Sequence, residues 1–198
     1  MKRACPVMGD QLYLSYWLRG FTEHNMLRHF EIVLRRFPFS ALRPQATLTV
    51  RAVDLTEPPL LKREFAGGVP VDDLMEAMNW SRNPDASFEV KTRWDLWTYH
   101  KGWKLKSCRV TICCYAPQFR SGSDDQRRIG CGPESRFLPP GDSAADLAPM
   151  RHNIRSLLHL ATDLYDSLPV DYCFLWSEAG ENFGERLRAA LFHGGGAG

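Results

Sequence analysis

The chain of 198 residues lacks any long hydrophobic run. No stretch approaches the roughly 18 apolar residues that a membrane-spanning helix requires, so the sequence predicts no membrane protein. The segment Met1–Pro6 contains two basic residues with no apolar stretch behind them, which argues against a secretory signal or a lipid anchor. We therefore predict a cytoplasmic protein whose six cysteines stay reduced.

The sequence also lacks the short motifs of common cofactor and metal enzymes. It contains no CxxC pair, no HExxH, no Walker lysine, no GxSxG elbow and no complete dinucleotide-binding glycine motif. His24 and His29 are five residues apart and diverge on a helix. His152 and His159 are roughly aligned but two turns apart, too far to share one metal ion. We therefore predict no cofactor and no metal.

A strong excess of one charge is absent as well. The net charge is +2, too small to indicate a nucleic-acid partner. Arg28, Arg35 and Arg36 lie on the polar side of a predicted helix, but Glu31 interrupts them and is spaced to pair with Arg35. This pattern is typical of a solvated helix face.

The composition that is present is that of a globular protein, with 44% hydrophobic, 24% charged and 12% aromatic residues. We predict a single α+β domain over residues 1–193 and a disordered glycine-rich tail over 194–198. Hydrophobic periodicity predicts the order β-α-β-(α)-β-β-β-α-β-α. One mixed sheet of five to six strands, with the two long helices on one face, satisfies this order, and a duplicated ferredoxin-like arrangement is the alternative.

The first three elements predict a β-α-β unit. A strand over residues 11–18 is followed by a helix that begins after the predicted cap Thr22 and ends at Pro38. A second strand covers residues 47–55. Because a helix connects the two strands, we expect them to be parallel neighbours with a right-handed crossover.

The same patterns predict the remaining elements outside the centre of the chain. They are an irregular segment over 56–70, a short helix over 71–80, a long mobile loop over 117–142 with a short strand near 128–131, a helix with Pro149 in its first turn and Pro169 after its end, a buried strand over 171–176, and a helix over 182–192 capped by Asn182.

The centre of the chain predicts a long β-hairpin. Residues 87–99 and 103–116 alternate strongly, and residues 100–102 join them. Only a three-residue loop separates apolar from polar faces, and it implies a type I turn followed by a left-handed Gly102. The resulting inner-face pairs are Trp94–Cys108, Thr92–Val110, Val90–Ile112 and Phe88–Cys114.

This register places four large apolar side chains together on the outer face, and we call them the hairpin tip: Trp97, Tyr99, Trp103 and Leu105. Covering them is worth several kcal/mol at about 25 cal/mol per Å². The cover is either another part of the chain (the 117–142 loop or the 56–70 segment), a second subunit or partner protein, or a small-molecule ligand. Our leading hypothesis is a non-enzymatic intracellular binding or assembly protein, in a homodimer or with a protein partner, that uses the hairpin tip as its contact surface.

The rival hypothesis is a small hydrolase or transferase without a cofactor. If the predicted parallel strands end at one edge, Asp54, Glu57 and Glu178 gather there beside Arg19 and form a dispersed catalytic site. The alternative interpretation of these residues is a set of solvated loop charges.

Cys131 is a third candidate site. It lies in the sequence Gly130–Pro133, which resembles an exposed turn, and the neighbouring arginines Arg127, Arg128 and Arg136 are expected to lower its pKa. A catalytic thiol also needs a base, and no histidine is near in sequence. An incidental loop thiol is the alternative.

Overall fold

The computed structural model describes residues 10–122, 125–138, 147–180 and 183–192. Within these ranges, the seven strands are β1 (Gln11–Leu18), β2 (Gln45–Ala52), β3 (Leu61–Ala66), β4 (Ala86–Tyr99), β5 (Trp103–Tyr115), β6 (Arg127–Pro133) and β7 (Val170–Ser177). The four α-helices of the described residues are α1 (Met26–Arg36), α2 (Val71–Trp80), α3 (Ala148–Ser167) and α4 (Phe183–Phe192). The predicted cap Asn182 and the tail 194–198 lie outside the described residues.

The strands form one sheet in the order β3-β2-β4-β5-β6-β1-β7, and every pair of neighbours is antiparallel. The α+β class is confirmed, but the predicted mixed sheet of five to six strands is wrong. The additional strand, β3, lies within residues 56–70. Its three consecutive charged residues, Lys62-Arg63-Glu64, interrupt the alternation of apolar and polar residues by which a strand is predicted. Strand β6 is longer than predicted and lies between β5 and β1 rather than in a loop.

The predicted parallel pairing of β1 with β2 is also wrong. Strands β4, β5 and β6 lie between them, so α1 connects two distant strands. The physical reason is that the long β4–β5 hairpin and β6 fill this position, and β1 instead pairs with β6 and β7. This topology does not confirm the ferredoxin-like alternative.

The helices share one core with one face of the sheet. Helix α1 contacts α2 and α3, and α3 contacts α4 and β4, so the predicted placement of both long helices on one face is confirmed. The opposite face of the sheet carries a small separate cluster of Cys113, Tyr115 and Phe119. Among the described helices, none combines the length and apolar character needed to cross a bilayer.

The helix ends follow local chemistry with one difference from the prediction. The N-cap position of helix α1 is Asn25 rather than Thr22, and its side chain makes no capping hydrogen bond to the helix. Instead, the Asn25 Oδ1 accepts the Thr22 N–H at 2.9 Å and its Nδ2 donates to the Gly20 carbonyl at 2.8 Å, which fixes the turn before the helix. The helix ends before Pro38, and Pro149 occupies the first turn of α3, both as predicted.

The hairpin register is confirmed in every predicted pair from Phe88–Cys114 to Tyr99–Trp103. The loop has the predicted three residues, but it is not a type I turn. Lys101 has φ 57° and Gly102 has φ 134°, so both residues adopt positive φ. A type I turn requires negative φ at its two central residues.

Candidate functional site

The hairpin tip is only partly exposed. Tyr99 and Leu105 are 54% and 43% exposed, whereas Trp97 and Trp103 are partly buried. The Tyr99 and Trp103 rings meet edge to face with centroids 5.3 Å apart. Trp103 packs against the main core, so the chain itself shelters this indole. The 56–70 segment provides no cover because it forms β3 on the opposite side of β2.

A buried side chain anchors the β4 strand just below this tip. Asn153 of α3 is fully buried, and its Oδ1 accepts the Trp97 N–H at 2.9 Å. Its Nδ2 donates to the carbonyls of Trp97 and Arg136, both at 2.8 Å. Strand β2 pairs with β4 only as far as Lys91, so Asn153 satisfies the backbone groups of Trp97 that face away from β5 and that β2 does not reach.

The structure does not bring the three predicted carboxylates together. Asp54 and Glu57 follow β2, whereas Glu178 follows β7, and four strands lie between β2 and β7. At about 4.8 Å between strands, this separates their axes by roughly 24 Å. The two strands also run in opposite directions, so the carboxyl end of β2 and the carboxyl end of β7 lie at opposite ends of the strand axes. The expectation of one shared edge failed because it depended on parallel strands.

Two of these carboxylates, Asp54 and Glu178, have local structural roles. The Asp54 carboxylate accepts hydrogen bonds from the hydroxyl and the N–H of Thr56, both at 2.7 Å, and these lower the pKa of Asp54. Glu178 accepts the Tyr13 hydroxyl at 2.8 Å. Burial, followed by this hydrogen bond, raises the pKa of Tyr13 to about 12. These contacts are typical of loop caps rather than of acid–base catalysts.

Cys131 is not the exposed thiol that its sequence predicts. It lies on β6 and is fully buried, and its Sγ donates to the Ile129 carbonyl at 3.7 Å. Burial raises the pKa of Cys131 to about 12, while the charge of Arg136 acts weakly in the opposite direction. The prediction failed because the Gly-rich segment is a central strand, so desolvation outweighs the nearby arginines.

Burial predicts a selective pattern of thiol reactivity. Among the described cysteines, only Cys173 is partly exposed. In a Cys5→Ser background, we expect iodoacetamide to label Cys173 alone in the folded protein and all five remaining thiols in urea. Mass spectrometry of the labelled peptides measures this. Rapid labelling of Cys131 in the folded protein would contradict the burial described above.

Strand β7 has the most exposed aromatic surface of the sheet. The prediction of a buried strand here is wrong, because β7 is an edge strand with Tyr172 and Phe174 exposed by 53% and 59%. Both side chains lie on the helix-free face, opposite Trp17 and Ser15 of β1. An exposed aromatic edge strand is a template for pairing with another chain.

The aromatic side chains of β1 and β7 form a stacked layer on this helix-free face. Tyr13 stacks on Trp176 with centroids 4.6 Å apart, and Trp17 stacks on Tyr172 at 4.4 Å. The Arg128 guanidinium lies over the rings of Tyr13 and Trp176. Arg128 also pairs with the Asp125 carboxylate at 2.6 and 2.7 Å, which neutralises its charge within the layer.

The backbone of β7 presents free hydrogen-bonding groups along its outer edge. The Glu178 N–H donates to the Gln11 carbonyl, which fixes the even-numbered residues of β7 as those bonded to β1. The N–H and C=O groups of Asp171, Cys173 and Leu175 therefore point away from β1. Within the described part of the chain, no backbone group bonds to them.

A buried arginine forms a second unusual feature. Arg127 is 1% exposed, and its Nη2 donates to the Met26 carbonyl at 2.6 Å. Its guanidinium lies 4.6 Å from the Phe21 ring centroid, while Nε and Nη1 have no partner in the described residues. Burial lowers the pKa of Arg127. The side chain is therefore a desolvated cation without a carboxylate partner among the described residues.

Sequence reasoning missed the β7 edge because its two faces are both rich in apolar residues, a pattern that a buried strand shares. Asn153 could have been found from the sequence, since it is a polar residue inside the apolar stripe of α3.

Across the described residues, no group of three or more His, Cys, Asp or Glu side chains is arranged to hold a metal ion. Comparisons with family models, curated proteins and solved structures gave no match.

Proposed function

We propose that the protein is a non-enzymatic assembly protein that forms a homodimer through the outer edge of β7. The observation that carries this proposal is an edge strand with two exposed aromatic side chains and three residues whose backbone groups point outward. The class of function is the one that the sequence suggests, but the contact surface moves from the hairpin tip to β7. A dispersed set of carboxylates gives the rival enzyme hypothesis no support.

The two edges of the sheet differ in how they are protected. The other edge strand, β3, carries the consecutive charges Lys62-Arg63-Glu64, which oppose pairing with a second chain. Strand β7 has one charged residue, Asp171. This contrast favours β7 as the edge that another chain extends.

A second copy of the same chain is the occupant that best fits this edge. Antiparallel pairing of a strand with itself has two-fold symmetry. If Cys173 lies on the axis, the outward groups of Asp171 face those of Leu175 in the partner subunit, and six backbone hydrogen bonds form. Tyr172 then lies opposite the partner's Phe174, so each exposed ring covers the other. Asp171 meets no like charge along the pair.

Charge substitutions on β7 test this proposal. In the register above, the double variant Tyr172→Lys/Phe174→Lys places like charges directly opposite one another across the axis. We expect sedimentation velocity to give the mass of two chains for the wild type and of one chain for this variant. Circular dichroism verifies that the variant folds, since losing the Trp17–Tyr172 stack costs only about 1 kcal/mol.

The matched control is Tyr99→Lys/Leu105→Lys, which adds the same charge at the hairpin tip on similarly exposed positions. This variant should remain a dimer. A monomeric wild type would refute the proposal. A dimer that only the hairpin-tip variant disrupts would also refute it, and it would show that the hairpin tip is the contact surface.

A further inference from the structure

A groove lies on the helical side of the molecule, between the end of α1 and the middle of α3. Its volume is about 540 Å³, within the range of roughly 300–1,000 Å³ that is typical of small-molecule sites. Its walls come from α1, from the residues after it, from α3 and from Trp94 of β4. The lining residues are Arg36, Pro38, Trp94, His152, Arg155, Ser156, His159, Leu160 and Asp163.

Two arginines from different helices line this groove, and neither has a carboxylate partner among the described residues. Arg36 and Arg155 are both exposed, and neither has a hydrogen bond or an ion pair with a described residue. The preceding residue, Arg35, shows the contrast because it pairs with Glu31 at 2.8 Å and also with Asp72. The groove therefore has two fixed positive charges whose donors are available.

The remaining lining groups are polar donors, an apolar floor and one His–Asp pair. His152 and Ser156 add donors from the same face of α3, one turn apart. Asp163, the one carboxylate among the described lining residues, lies with its Oδ2 3.3 Å from His159 Nδ1. Trp94 and Leu160 are buried and form an apolar floor. The groove thus combines a cationic rim with an apolar base.

We infer that this groove binds a phosphate monoester of a small organic molecule. Guanidinium groups recognise phosphate through paired, charge-assisted hydrogen bonds, and a dianionic phosphate matches two guanidinium groups. The cavity is larger than a phosphate ion, so the apolar floor has room for an organic group of about nucleoside size. The inference does not depend on the β7 dimer, because the groove and β7 involve different residues.

Isothermal titration calorimetry with three probes tests the inference: inorganic phosphate, adenosine monophosphate and adenosine. We expect adenosine monophosphate to bind most tightly, inorganic phosphate more weakly, and adenosine without measurable affinity. The variants Arg36→Gln and Arg155→Gln should each weaken adenosine monophosphate binding about tenfold or more, which is the effect expected for the loss of one charged contact. Both positions are exposed, so these variants should fold.

The matched control is Arg28→Gln, which removes the same charge from an exposed position of α1 outside the groove. Its affinity should stay within about twofold of the wild type. Equal losses in Arg28→Gln and Arg36→Gln would mean a general charge effect and would overturn the inference. A wild type that binds neither phosphate probe, or that binds adenosine equally well, would overturn it too.

Discussion

The variant Asn153→Leu should lower the free energy of unfolding by about 2–5 kcal/mol. The Asn153 amide satisfies three backbone groups, namely the N–H and C=O of Trp97 and the C=O of Arg136. Leucine has a similar volume but no polar atom, so all three groups lose their partner. Each unsatisfied buried group costs about 1–3 kcal/mol, and partial exposure of Trp97 places the sum toward the lower end.

Urea denaturation followed by tryptophan fluorescence measures this loss. The control Asn79→Leu replaces an exposed asparagine of α2 and should change stability by no more than about 0.5 kcal/mol. Asn153→Asp should also be destabilising, because a carboxylate cannot donate to the two carbonyls. A loss below about 1 kcal/mol in Asn153→Leu would show that Asn153 does not anchor β4.

The variant Arg127→Met should raise the free energy of unfolding by about 1–3 kcal/mol. Arg127 is a fully desolvated cation with two unpartnered nitrogens within the described structure. Replacing buried charges with apolar side chains of similar volume is often stabilising by about 1–4 kcal/mol. Loss of the bond to the Met26 carbonyl offsets part of this gain, although that carbonyl is also placed to accept an intrahelical hydrogen bond at the start of α1.

Two further variants separate charge from volume at this position. Arg127→Ala should be destabilising because it leaves a cavity in the core. Arg127→Lys keeps the buried charge but loses the planar contact with Phe21, and it should also be destabilising. Equilibrium unfolding in urea compares all three. A decrease in stability for Arg127→Met would mean that the guanidinium contributes more than it costs.

The hairpin shows what sequence patterns can determine. Its strands are 14 and 13 residues long, so the alternation of faces repeats often enough for only one loop length to sort apolar from polar residues. The turn itself was less predictable, because the positive φ of Lys101 carries no residue-type signal. Regular periodicity therefore predicts the register of a hairpin more reliably than it predicts the conformation of the loop.

Strands at the edges of the sheet, or with turn-like composition, were harder to identify. Strand β3 is masked by consecutive charges that suit an exposed edge. Strand β6 contains two glycines and a proline, yet it lies at the centre of the sheet and carries the buried Arg127. The short strand predicted near residues 128–131 was assigned to a mobile loop rather than to the interior of the sheet, and this produced two errors, the parallel β1–β2 pair and the exposed Cys131.

The candidate sites depended on these long-range pairings more than on local patterns. Asp54 and Glu178 converge only if the strands before them are parallel, and they are not. The apolar residues of β7 fit both a buried strand and an exposed edge, since sequence alternation does not reveal what covers a face. The exposed surface of β7 could therefore be identified only once the order of the strands in the sheet was known.

Oxidative crosslinking of Cys173 tests the β7 dimer most directly. In the register with Cys173 on the axis, two copies of this residue face each other with Cα atoms about 5.5 Å apart, within the span of a disulfide. In a Cys5→Ser background, oxidation with copper phenanthroline should give a covalent dimer that Cys173→Ser abolishes. Asp171→Cys combined with Cys173→Ser should give none, because its two copies would lie roughly 14 Å apart. No crosslink through Cys173, or equal crosslinking from position 171, would contradict the proposed dimer.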